Sequence, residues 1–151
     1  MLTVIGLLSG LAVGSLDGLQ GSRQDIAATR VRSMLVYAQG WARDSGNDTW
    51  VAFDTGANLV SAFVEDPANP GSANRLTLAD PLDRKAMTLA LGSDGVGLTS
   101  VSFGGTDEVH FDELGAPHDE LGSALAADGT VVLSGSRTVR VTRNTGLVTI
   151  D

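Results

Sequence analysis

Apolar and polar positions divide the chain into two unlike parts. Its first sixteen residues, MLTVIGLLSGLAVGSL, are uncharged, and the first charged side chain is Asp17. Sixteen helical residues reach only about 24 Å, short of the ~30 Å hydrocarbon core of a bilayer. Ala12-Val13-Gly14 resembles a small-x-small cleavage site of a secretory signal, yet no basic region precedes the apolar run. Gly6, Gly10, Gly14 and Gly18 recur every fourth residue. On a helix they form one stripe, the kind that lets apolar helices approach closely; the plainer reading is a glycine-rich chain. From Ser22 to Ser45 the pattern turns amphipathic. Ile26, Val31, Leu35, Ala38, Trp41 and Ala42 fall near one face, with Arg23, Arg30, Arg32 and Arg43 elsewhere. Gly46-Asn47 supplies the stop. A continuous helix to that point would be about 68 Å long, so part of it must project from the body.

Beyond Gly46 the period shortens to that of strands. Residues 49–54 and 59–64 flank Thr55-Gly56-Ala57-Asn58 at hairpin spacing. Pro, Asn and Gly mark residues 65–73 as a loop. Further strands are expected at 75–78, 87–91, 98–103, 108–112, 130–134, 138–142 and 147–150. Gly135-Ser136 and Asn144-Thr145-Gly146 supply the last turns. One long helix followed only by strands is an α+β arrangement, a small antiparallel sheet domain with the amphipathic half of the helix across it. Three parts are expected: an apolar helix half over 1–21, an amphipathic half over 22–45, and a β-rich domain over 46–151.

Composition narrows the function. The 151 residues include no cysteine, which removes disulfide scaffolds, thiol enzymes and Cys-based zinc sites. A net charge of −8 argues against a nucleic-acid partner. That charge belongs to residues 61–151, with 13 acids against six bases. His110 and His118 lie among Asp112, Glu113, Asp119 and Glu120, in an acidic stretch over 94–128. Calcium takes such carboxylates, but the Asp-x-Asp-x-Asp-Gly spacing of an EF loop is missing, and a solvated acidic face is the simpler reading. Neither histidine sits in HExxH, and Ser102 and Ser134 lack the GxSxG elbow. No catalytic, cofactor-binding or metal-ligating residue is assigned, and no cofactor is expected. Trp41 and Trp50 are read as core packing where helix meets first strand, rather than as a binding surface.

Three stretches, in order, resemble the minor pseudopilins of the GspH/FimT group, within the type IV pilin superfamily. Residues 27–54, AATRVRSMLVYAQGWARDSGNDTWVAFD, resemble that group's helix, its Gly-Asn ending and its first strand. Phe111-Asp112-Glu113-Leu114-Gly115-Ala116-Pro117 resembles its Phe-Asp-x-x-Gly-x-Pro turn. Residues 138–150, TVRVTRNTGLVTI, resemble its last hairpin. The family carries a basic leader, a glycine at the cleavage point and Phe-Thr-Leu-Ile-Glu before the apolar run. Met1-Leu2-Thr3-Val4-Ile5 resembles the family's residues just after that glutamate. Five more residues would bring the apolar run to about 21, enough to span a bilayer. A start assigned too late, or a trimmed chain, is therefore expected.

The resemblance implies a non-enzymatic subunit of a type II secretion pseudopilus or type IV pilus-like fibre. Its helix would sit in the bacterial inner membrane as a single span, then pack against other pilins in the fibre core. Its β domain would lie on the periplasmic side, at or near the tip, touching other pseudopilins or exported proteins. Prepilin peptidase and methylation of the first mature residue are implied in the same way. A secreted or surface β-rich binding domain with an ordinary export signal is the alternative.

Overall fold

The computed structural model describes the backbone from Leu2 to Asp151 and the side chains from Leu16 onward. Helix α1 (Leu2–Ser45) is 44 residues long and runs through Gly18 and Gly21 without a break. The surroundings of Gly6, Gly10 and Gly14, three members of the glycine stripe, lie outside the described residues; the fourth, Gly18, faces open space.

Ten strands come after the helix: β1 (Thr49–Asp54), β2 (Leu59–Glu65), β3 (Arg75–Thr77), β4 (Thr88–Ala90), β5 (Leu98–Ser102), β6 (Glu108–Phe111), β7 (Pro117–His118), β8 (Gly129–Leu133), β9 (Thr138–Val141) and β10 (Val148–Ile150). Every pairing is antiparallel. One sheet has the order β3-β2-β1-β6-β7, with β4 on the other half of β2; the second has the order β10-β9-β8-β5. α1 lies across both, touching β1, β2 and β6 of the first and β9 and β10 of the second. This is the expected α+β arrangement, with the antiparallel strands split into two sheets. Expected strand positions match to within a residue or so at each end. The exception is β7, whose two residues are too few to show any period. It is recruited by pairing His118 with His110 and Pro117 with Phe111.

Which helix face meets the sheets differs from the sequence expectation. Ala27, Ala28, Val31, Met34, Leu35, Ala38 and Ala42 are buried. Ile26 is 51% exposed and Trp41 40%. At about 100° per residue, Ile26 lies some 140° round from Val31, and Trp41 falls just off the edge of the buried arc. The face that touches the body is built mainly from alanine, which lets β1 come close enough for Thr49 Oγ1 to donate to Ala38 O at 2.9 Å. Between helix and sheets, Val51 and Phe53 of β1, Val60 and Ala62 of β2, and Val131, Val139, Val141 and Val148 complete one core. Phe53 stacks on Phe103 at 5.7 Å, joining the two sheets.

A polar residue is set into this apolar face. Gln39 is only 7% exposed, and its Nε2 donates to Gly115 O at 2.8 Å and to Thr145 O at 3.1 Å. Those carbonyls belong to the turn after β6 and the turn between β9 and β10. The amide therefore closes both onto the helix. Gly115 has φ +77°, and a Cβ there would stand 2.9 Å from Arg43 Cδ; Gly146 has φ +68°, with Gln39 Nε2 where its Cβ would be. A side chain at either position meets backbone strain and a filled space together. Gly115→Val is expected to destabilise the protein by about 2–4 kcal/mol, measured by urea denaturation; an unchanged midpoint would show that the turn tolerates a side chain and is not held against Arg43.

Candidate functional site

Three polar contacts seat the helix beyond its apolar face. Arg137 Nε reaches Asp25 Oδ1 at 2.7 Å, Arg30 reaches Asp94 at 2.9 Å, and Arg32 Nε donates to Val148 O at 3.1 Å. The first two pairs are exposed, so each is worth under about 1 kcal/mol, and their service is orientation. Among the described helix residues, none before Asp25 takes part in these contacts. Leu16 and Leu19 stand exposed on the projecting stem.

The opposite face of the first sheet gathers most of the chain's remaining chemistry. Trp50, alternating with Thr49 and Val51, points away from α1, yet it is 2% exposed. Arg75 lies over its indole, 4.7 Å from the centroid, and pairs with Glu108 at 2.7 Å. His110, opposite Trp50 in the register, stacks on it at 5.0 Å and 13°. His118 is 5.4 Å from His110, ring centre to ring centre. His118 Nε2 is 3.0 Å from Asp112 Oδ2. His110 Nε2 is 2.9 Å from Asp48 Oδ2, at ion-pair range but outside hydrogen-bond geometry. Trp50 is thus packed as expected, but against charged and aromatic groups on the outer face instead of the helix. Trp41, expected in the core, sits on the surface. These are two carboxylate–imidazole pairs, and among the described residues no hydroxyl bonds to either ring.

The acidic candidates do not converge. Asp112 Oδ1 accepts from Leu114 N at 3.0 Å and Ala116 N at 2.8 Å; Asp119 Oδ1 accepts from Leu121 N at 3.0 Å and Ser123 N at 2.8 Å. Each carboxylate holds a side-chain turn of its own. The two turns are copies, because Asp-Glu-Leu-Gly occurs twice, at 112–115 and 119–122. That repeat is legible in the sequence and signals matched turns rather than a site. Glu113 and Glu120 face solvent, as do Leu114 and Leu121 at the turn tips. Ser134 Oγ accepts from Gly97 N at 3.0 Å, and Ser102 is exposed. Among the described residues, no three His, Asp or Glu side chains are placed to hold one metal ion. Nor is any helix among them long and apolar enough to cross a membrane.

No protein-family model and no curated protein matches the chain. Solved structures do. The minor pseudopilin EpsH from the type 2 secretion system of Vibrio cholerae aligns over 85% of this chain and 94% of its own, with 13% identity and a TM-score of 0.63. The type IV minor pilin FimU of Pseudomonas aeruginosa aligns over 87% of this chain and 90% of its own, with 14% identity and a TM-score of 0.52. The fold is that of minor pseudopilins and minor pilins, a long N-terminal helix on antiparallel sheets. The resemblance carried by residues 27–54, 111–117 and 138–150 is matched at that level.

Asp112 is the one site residue here with a marked displacement of its acidity. Burial pushes its carboxyl up, but hydrogen bonds from Ala116 N, His118 and Leu114 N, with the nearby imidazole charge, outweigh this and hold it below the usual range. A depressed carboxyl stabilises the fold above its unfolded value of about 3.9, and that contribution fades as pH falls through the folded value. Asp112→Asn is therefore expected to lower the melting temperature at neutral pH, with the gap to the unmutated protein closing below about pH 4. A gap of constant size down to strongly acid pH would show that the charge contributes nothing.

Proposed function

We propose that this protein is a non-enzymatic minor subunit of a pilus-like fibre, of the type II secretion or type IV pilus class. The observation that carries the reading is a 44-residue helix, about 66 Å long, whose body contacts, among the described side chains, begin only near Arg23. Among the described side chains, those before Arg23 add nothing to the core of the β domain. Such a helix makes physical sense as a rod shared with neighbours. The fold common to EpsH and FimU supports the same conclusion.

In this account residues 1–21 belong to the inner membrane before assembly and to the fibre core afterwards. Residues 22–45 join that rod to the body, and residues 46–151 form the β domain on the periplasmic side. Partners are other pilin-like subunits through α1, with exported proteins or further minor subunits at the β surface. Processing by prepilin peptidase belongs to the same proposal, as does single-span anchoring. No cofactor is assigned.

The test uses the protein expressed from its own locus with a C-terminal tag. With fibre assembly blocked it should fractionate with the inner membrane; with assembly active, part of it should co-sediment with sheared fibres. Recovery only as a freely soluble exported protein under both conditions would overturn the reading in favour of a secreted binding domain.

A further inference from the structure

Edge strands present backbone groups that no neighbour takes up, and natural sheets blunt them with bulges, charges or covering segments. Three edges here are blunted in this way. β5 is bulged between Leu98 and Ser100, Arg32 Nε caps β10 at Val148 O, and Ala124 bridges to His118 beyond β7. β4 is different. Ala62 N donates to Met87 O and Leu91 N to Asn58 O, so in the β2–β4 ladder residues 87, 89 and 91 face β2. Thr88 and Ala90 therefore turn their N–H and C=O groups outward. Ser93 Oγ donates to Ala90 O at 3.0 Å. Among the described residues nothing bonds to Thr88 N, Thr88 O or Ala90 N. No charge, proline or bulge interrupts Thr88-Leu89-Ala90.

A groove of about 690 Å³ runs beside this edge, between α1 and the loop joining β3 to β4. Met34, Tyr37, Leu82, Met87 and Leu89 give it apolar walls. Leu82, at its lip, is 93% exposed. Arg30 lines this groove and also a second hollow of about 460 Å³ beyond the end of β4, which Arg23 shares with Gly92 and Gly95. Arg30 is paired with Asp94, whereas Arg23 has no acidic partner among the described residues. From Tyr37 down to Arg23 the path is about 21 Å, the reach of about six extended residues.

These features select one kind of occupant. A helix satisfies its own N–H and C=O groups and would leave Thr88 and Ala90 unmet. A compact domain needs a broad patch, and a small molecule an enclosed cavity. An extended peptide pairs with the edge, sets every second side chain over the groove, and brings a carboxylate to Arg23.

The geometry points to a peptide site: the β4 edge and its groove bind an extended segment of another polypeptide as an added strand. The segment pairs with Thr88 and Ala90, lays alternate apolar side chains against Met34, Tyr37 and Leu82, and meets Arg23 with an acidic group. This goes beyond the fibre reading, because it gives the body a ligand of its own, independent of assembly through α1.

The probe is a heptapeptide of alternating Val and Thr with Asp at both ends, so that either strand direction sets an acid near Arg23. It is added to the full chain in detergent micelles. Amide exchange at Thr88 and Ala90 should slow on binding. N-methylation of one alternate set of peptide amides should weaken binding by about tenfold or more, because the methyl groups stand between the strands and the donor to Thr88 O is lost. N-methylation of the other set should leave binding unchanged. Arg23→Glu should weaken binding about tenfold with the melting temperature retained. Thr88→Pro, which removes an outward N–H where an edge strand accepts proline, should weaken it about as much. Equal binding by both methylated forms, or binding without protection of Thr88 and Ala90, would overturn the added strand. Tighter binding by a helix-constrained version of the probe would assign the groove to a helix and overturn the inference. Failure of the unmodified peptide to bind at millimolar concentration would overturn it as well. Every measurement uses isolated protein, so the fibre reading stands or falls separately, on its own fractionation test.

Discussion

The amide of Gln39 links three parts of the molecule that the chain builds separately. It belongs to the helix, yet both of its hydrogen bonds are spent on carbonyls of the β domain, one 76 and one 106 residues away. Burying an amide is unfavourable unless it is paired. Removing it would leave the Gly115 and Thr145 carbonyls short of a donor, at about 1–3 kcal/mol for a buried orphaned group. The turn after β6 and the turn before β10 are thereby fixed relative to one another through a helix side chain. Gly115 and Gly146 are the residues that let the backbone come so close. The region where the helix seats on the body is held by geometry as well as by apolar contact.

This seat has to resist leverage. A helix of 44 residues whose described contacts lie along its later half acts as a lever on the β domain. Alanine at 27, 28, 38 and 42 shortens the distance between helix and sheet, and close packing of small residues yields a stiff junction. Arg137–Asp25 and Arg30–Asp94 brace the point where the stem leaves the body. Val31, Met34 and Leu35 fill the inner face between those alanines, while Leu19, Ile26 and Trp41 stand on the outer surface.

Much of this architecture is legible in the sequence. Gly46-Asn47 ends the helix, and the four turn residues after Asp54 place the first hairpin, because those positions need conformations few residues supply. The inner helix face departs from expectation at Ile26 and Trp41 because a hydrophobic pattern ranks bulk, whereas a closely approached sheet selects for smallness. Nothing local marks the role of Gln39, since its partners are distant in sequence. The same holds for the outer-face cluster. His110 and His118 read as neighbours among acids, but only the pairings β3–β2–β1–β6–β7 bring Trp50 and Arg75 to them. Ambiguity over calcium comes from counting carboxylates, while Asp112 and Asp119 are committed to turns.

The clasp can be examined most directly by amide hydrogen exchange on Gln39→Met, which keeps length and removes the donor. If one amide holds both turns, exchange should accelerate together at Gly115 and Ala116 and at Gly146, whose N–H groups close those turns, while the β1–β2 ladder keeps its protection. Acceleration at only one turn, or uniform loss of protection across the β domain, would contradict the account.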